Sequence, residues 1–452
     1  MSSITTRGTA ALAVAAALLV APGVAFAAPS PSLSDADRVG GAAHFVATTL
    51  AAGGDHYVYP GGSYFDGGNT IDAILGLAGA DQGMTQAEAS LAYLDTNIED
   101  YLGTAYGDFS GSIAKTLIAV DAMGADPTNF GGHDLVADLA AREGADGHFT
   151  DAPDDYSITI TQALAMIATL RATGATSPES ATYLLAQQCD DGGFSDELDV
   201  ATCVSDPDAT AFALQALAGA PEATDADIND AIDYLIGRMV NPGGTAPADF
   251  GIRGSDGTAN ANTSGVAAQA FALLGVDEAY DRVIQFLASL QYGCSDAAAL
   301  RGGFAYSAAT RTTGKQPADS DLRATPQALL GFAGDSLLTV TSEGDDAGTT
   351  ALPCTTASPT PTSTPTSTPT QTATASASAT PTATATQSSG STSTSTQAPS
   401  TTAAATSTST TATGALASTG ASPLRPVLIG LLLLLLGAAA VFIARRPRGN
   451  HA

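Results

Sequence analysis

The sequence predicts an all-α fold made of six helix-pair repeats, and three observations predict it. One order of elements recurs six times between residues 38 and 334: an amphipathic helix, a glycine-rich turn often carrying an aromatic, and a second helix of small apolar residues. Within each pass the apolar residues follow the period of a helix rather than the alternation of a strand. Glycine breaks the pattern at the same place in every pass, which is the chemistry of a turn.

The first pass joins a helix over 38–52 to one over 70–78 across Gly67-Gly68. The second joins 86–101 to 112–123 across Gly107-Asp108-Phe109, and the third joins 134–142 to 160–173 across Gly147-His148-Phe149. The fourth runs from 178–188 through Gly192-Gly193-Phe194 to 208–218. The fifth joins 227–239 to 263–274 past Phe250-Gly251, and the sixth joins 278–291 to 325–334 past Gly302-Gly303-Phe304. The first helix of each pair keeps a polar face, as Glu179, Gln187 and Gln188 do opposite Ala181, Leu184 and Leu185. The second is small and apolar nearly all round, as in Ala211 to Leu217 (AFALQAL). A helix apolar on all sides is buried on most of them. The second helices therefore form an inner layer and the first helices an outer one. One repeat cannot cover its own apolar face; an open solenoid and a closed ring both solve that.

The stretches Leu184 to Phe194 (LLAQQCDDGGF) and Asp208 to Leu217 (DATAFALQAL) resemble the prenyltransferase and squalene-cyclase repeat, as does Leu290-Gln291 with Gly302-Gly303-Phe304. That superfamily folds as a closed (α/α)6 toroid, so the resemblance implies a ring within residues 31–347. It also sets three chemical comparisons. Protein prenyltransferases hold zinc through Asp, Cys and His, and the matching pattern is missing here, so neither a metal nor another cofactor is expected. Thioester domains need a Cys and Gln motif that none of the four cysteines has. Class II terpene cyclases protonate an alkene with the central Asp of D-x-D-D-T-A. Against that motif, Asp206-Pro207-Asp208-Ala209-Thr210-Ala211 places Asp206 on the first Asp and Asp208 on the proton donor, while Ala209 replaces the last. Such an acid needs a dry cavity with aromatic faces turned to the cation. The chain has no Trp and 6% aromatic residues. The leading expectation is a non-catalytic binding or interaction module; the alternative is a degenerate class II cyclase-like enzyme with Asp208 as acid.

The inner helices begin with polar groups: Asn69, Ser112, Thr161, Asp208 with Thr210, Asn262 with Thr263, and Arg323. In a closed ring these starts converge on one mouth, a place for an extracellular small molecule or protein. The same groups also serve as ordinary helix caps. All forty-five acidic residues and eleven of the sixteen basic ones fall between Asp35 and Asp346, a formal charge of −34 for that stretch. Such a field repels nucleic acid, which is not expected as a partner. Four cysteines, Cys189, Cys203, Cys294 and Cys354, allow three pairings, of which Cys189–Cys203 with Cys294–Cys354 is the most economical.

Both ends carry export signals. Residues 1–27 read as a signal peptide, with Arg7, an apolar run over 9–21 and Ala25-Phe26-Ala27 for cleavage. Residues 426–444 are apolar and long enough to span a bilayer, and the basic tail 445–452 keeps that end cytoplasmic. Just upstream, 416–420 reads Leu416-Ala417-Ser418-Thr419-Gly420. Pentapeptide, span and tail together resemble a cell-wall sorting signal in the L-A-x-T-G form of high-GC Gram-positive bacteria. The resemblance implies that a sortase-type transpeptidase cuts between Thr419 and Gly420 and joins Thr419 to peptidoglycan. Residues 355–415 are nearly all Thr, Ser, Ala and Pro, a composition that cannot bury a core. As a stalk they reach up to about 190 Å at ~3.1 Å per residue.

Overall fold

The structure is a computed structural model that describes residues 33–59, 64–103 and 107–354. Thirteen α-helices among them fall into two layers. The outer layer holds α1 (Asp35–Ala52), α3 (Met84–Asn97) with its short continuation α4 (Glu99–Leu102), α6 (Leu135–Ala140), α8 (Pro178–Leu185), α10 (Asp225–Gly237) and α12 (Asp277–Leu290). The inner layer holds α2 (Gly67–Gly79), α5 (Ser110–Ala122), α7 (Thr159–Thr173), α9 (Pro207–Leu217), α11 (Ala261–Leu274) and α13 (Asp319–Ala333). Each inner helix packs on the next, and α13 returns to α2. The ring is therefore closed.

All twelve expected helices are present. The largest boundary difference is α13, which starts six residues before the expected 325. Pro326 is the reason. Proline favours the first turn of a helix, so it reads as a start in sequence, whereas here it lies inside the helix.

Small residues bring the inner helices close together. A Cβ added at Gly265 would lie 2.6 Å from the Ala328 Cα, and one at Gly76 would lie 2.8 Å from the Pro326 carbonyl. The six starts share one end of the ring. Ser110 N–H donates to Asp151 at 2.8 Å, ahead of α7. Thr159 N–H donates to the Asp196 carbonyl ahead of α9, and Ala261 N–H to the Tyr306 carbonyl ahead of α13.

One device repeats around the ring. The backbone N–H of a turn residue donates to a polar side chain in the first turns of the following inner helix. The pairs are Tyr57 on Thr70, Phe149 on Gln162, Phe194 on Thr210, Ile252 on Ser264 and Phe304 on Thr325, at 2.9–3.0 Å. Thr70, Thr210 and Thr325 also donate to the carbonyl four residues earlier. A buried donor is thus satisfied without leaving the repeat. The turn glycines then meet the next repeat. Gly147, Gly192 and Gly302 have positive φ, and a methyl on them would overlap the backbone at Glu179, Asp230 and Gly41. Glutamines staple the same joints. Gln188 Nε2 donates to the Gly192 and Asp227 carbonyls, both at 2.9 Å. Gln291 Nε2 donates to Gly302 at 3.0 Å and to Arg38 at 2.8 Å, which closes the sixth repeat onto the first.

After α13 the chain makes a lap beneath the C-terminal ends of the inner helices. Leu337 N–H donates to Gln215 at 3.0 Å. Arg171, paired with Asp121 at 2.8 Å, donates to the Leu337 and Val340 carbonyls. Ser342 bonds Ala122, residues 346–348 bond the turn before α3 and the first two residues of α3, and Thr349 meets His44 at 2.9 Å. Leu352 fills the space over Gly41. This strap ends in Cys354, bonded to Cys294; Cys189 is bonded to Cys203. Both economical pairings are therefore formed.

Among the described residues no helix is long and apolar enough to cross a membrane. The leader 1–27, the stalk 355–415, the pentapeptide 416–420, the span 426–444 and the tail 445–452 lie outside the described residues.

Candidate binding face and the ring axis

Five inner helices place their sixth residue on the ring axis: Asp72, Lys115, Leu164, Phe212 and Val266, with Gln327 of α13 completing the layer. The layer is polar on one side and apolar on the other. Lys115 Nζ lies 2.8 Å from Asp72, with both side chains buried. Gln327 Nε2 donates to Asp72 at 3.0 Å, so α13, α2 and α5 are joined in ring order. Gln269, one turn below Val266, donates to the Gln327 carbonyl at 3.1 Å. Leu337 of the strap reaches the same space from below. What remains open is about 10 Å³, roughly the room for one water. The Oε1 atoms of Gln269 and Gln327 border this space without another partner.

Sequence reasoning missed Asp72, Lys115, Gln269 and Gln327. A usable signal was there: Asp72 and Lys115 are charges inside runs that are otherwise small and apolar. Helix starts had to be aligned to see that both occupy the same register.

The mouth lies one turn above this layer. Asp206 is the N-cap of α9 and accepts from Asp208 and Ala209 N–H at 2.8 and 3.0 Å. Asp208 sits in the first turn, four residues before Phe212 and so on the axial side. It faces the Thr263 hydroxyl, and its Oδ1 is sealed without a hydrogen-bond partner. Burial pushes its carboxyl up to about 7, and the charge of Asp206 pushes the same way. Asn262 and Arg323 hold the matching register on α11 and α13, so these three share one level of the mouth. Gly68 and Gly111 hold it on α2 and α5.

The other expected residues are divided. Asn69 and Arg323 meet at Asp66: Asn69 Nδ2 donates at 2.8 Å, Arg323 pairs at 3.0 Å, and Arg323 also lies over the Tyr59 ring. Thr263 is bound to the α11 cap Asn260. Thr161 bonds its own cap residue Ile158, and Thr210 holds the Phe194 turn. Ser112 is buried beside Tyr101. The helix N–H groups there are thus largely occupied by Asp66, Asp151, Asp206 and Asn260. The rim has a second feature. The exposed large apolar side chains among the described residues, Val58, Tyr64, Tyr156, Val204 and Val240, all stand in loops leading from an outer helix to an inner one.

No protein-family model matches the chain, and no curated protein matches it. Solved structures do. The type II terpene cyclase MstE from Scytonema aligns at 13% identity over 66% of this chain and 97% of its own, with a TM-score of 0.47. A protein from Actinoplanes aligns at 14% identity over 67% and 99%, with a TM-score of 0.49. A glycosidase variant in complex with glucose aligns at 13% identity over 68% and 100%, with a TM-score of 0.45. At this distance nothing about activity transfers, and the toroid stands on its own helix packing.

Proposed function

We propose that the chain is an exported, wall-attached binding module whose toroid is a solid head that acts through its loop-bearing face. The observation that carries this reading is the filled axis. Six inner side chains and Leu337 leave about 10 Å³, and a charged pair stands where a cyclase needs an apolar chamber. Asp208 stands one turn above this filled layer with its Oδ1 sealed, and the layer below it leaves the cyclase alternative little reaction space. The exposed apolar residues of the rim, in a strongly acidic setting, suit a partner with apolar groups and positive charge. Export and attachment rest on the residues of the two ends: the leader, the stalk and the Leu416 to Gly420 sorting sequence ahead of the apolar span. The purified protein is expected to leave a polyprenyl substrate such as geranylgeraniol unchanged. Cyclised product from the wild type, lost in Asp208→Asn, would overturn the binding reading in favour of the enzyme.

A further inference from the structure

We propose that the Cys294–Cys354 disulfide is a load path, carrying tension from the 355–415 segment into the α12 end of the last repeat and past the strap and α13. This rests on the reading of 355–415 as a tethering stalk.

The order of contacts along the strap carries the inference. Without the bond, a pull on residue 354 loads only the outermost contact. Leu352 would leave Gly41, then Thr349 His44, then residues 346–348 the turn before α3 and the first two residues of α3. Ser342 would follow, then the Arg171 clamp on Val340 and Leu337. Contacts broken one at a time resist far less than contacts loaded together. The next element to peel is α13, and α13 is the helix that joins α11 back to α2. Peeling would therefore open the ring and unplug its axis.

The disulfide removes that route. Cys354 is held to a residue 60 positions earlier, with Cα atoms 5.3 Å apart. The loop between them contains α13 and the whole strap, and it bears no load. Cys294 lies three residues past Gln291, which is bound to Arg38 and Gly302. Tension thus enters at a stapled joint between the sixth and first repeats. The other disulfide closes a separation of only 14 and encloses no helix, so it shields nothing comparable.

The test is single-molecule pulling of the full chain in detergent, in a Cys189→Ser/Cys203→Ser background. One handle is attached at the C-terminal end and the other at an azido residue replacing exposed Thr182 of α8. With the bond intact, the first event should be rupture of the ring. Reductant added to the same folded molecules should create an earlier step at lower force, lengthening the chain by up to about 200 Å at ~3.4 Å per residue. Identical first steps before and after reduction would overturn the load path, as would early release with the bond intact. A bond that only stabilises would lower the ring-rupture force without adding the step, and that result also overturns it. Failure here leaves wall attachment standing; an uncut C-terminus on wall-released protein would sink attachment without altering the traces.

Discussion

Removing Lys115 alone strands the Asp72 carboxylate inside the ring, with only Gln327 left to bond it. Breaking a buried pair from one side typically costs about 3–5 kcal/mol, whereas replacing both members with apolar groups is often neutral. Lys115→Met is therefore expected to lose about 3–5 kcal/mol in urea unfolding, and Asp72→Leu/Lys115→Met to recover most of it. A double variant no better than the single would show that the pair is not a closed unit. Asp208 makes a pH prediction. Its folded pKa is raised to about 7 from an unfolded value near ~3.9, so between those values the folded state holds more protons. Stability from this group is full at acid pH and falls as pH rises through about 7. Asp208→Asn should flatten that fall and leave the variant more stable than wild type at pH 8, by up to about 4 kcal/mol. Unfolding midpoints from pH 4 to 8 measure it. Asp345, pushed up to about 6 by burial and by Asp81, adds the same slope in both proteins.

Helices and turns were the legible level. Glycine-rich turns and small apolar helices are local patterns, and all twelve expected helices formed. What sequence could not rank is the turn glycines, because positive φ alone does not tell a free turn from a joint. Gly174 ends α7 at φ 82° with nothing near its Cβ position, while Gly192 at φ 86° faces the Asp230 backbone. Gly174→Ala should cost about 1 kcal/mol, the strain of the left-handed region. Gly192→Ala adds an overlap that only moving α10 can relieve, and about 3 kcal/mol or more is expected. Thermal melts of the two variants side by side decide it. The polar helix starts are divided once the helices are placed. Asp208, Asn262 and Arg323 share a level, but Thr161 and Thr210 are consumed by caps and turns.

At the scale of the molecule, a head with a formal charge of −34 stays soluble and keeps anionic polymers away. If the 416–420 sequence is processed as its residues suggest, wall-released protein should end at Thr419. Mass spectrometry of its C-terminal peptide checks this, and a chain ending at Ala452 would contradict it. The sequence by itself determined the all-α class, the six passes and the two layers, and it favoured the cysteine pairs of lowest loop length. Those follow from period, turn chemistry and spacing, which act over a few residues. Only the tertiary structure decided that the ring closes, that its axis is filled, and that Asp72 meets Lys115 and Gln327. These facts depend on register between helices, and Gln327 is 255 positions from Asp72. No local pattern fixes such a register. It is set by how closely glycines such as Gly76 and Gly265 let neighbouring backbones approach.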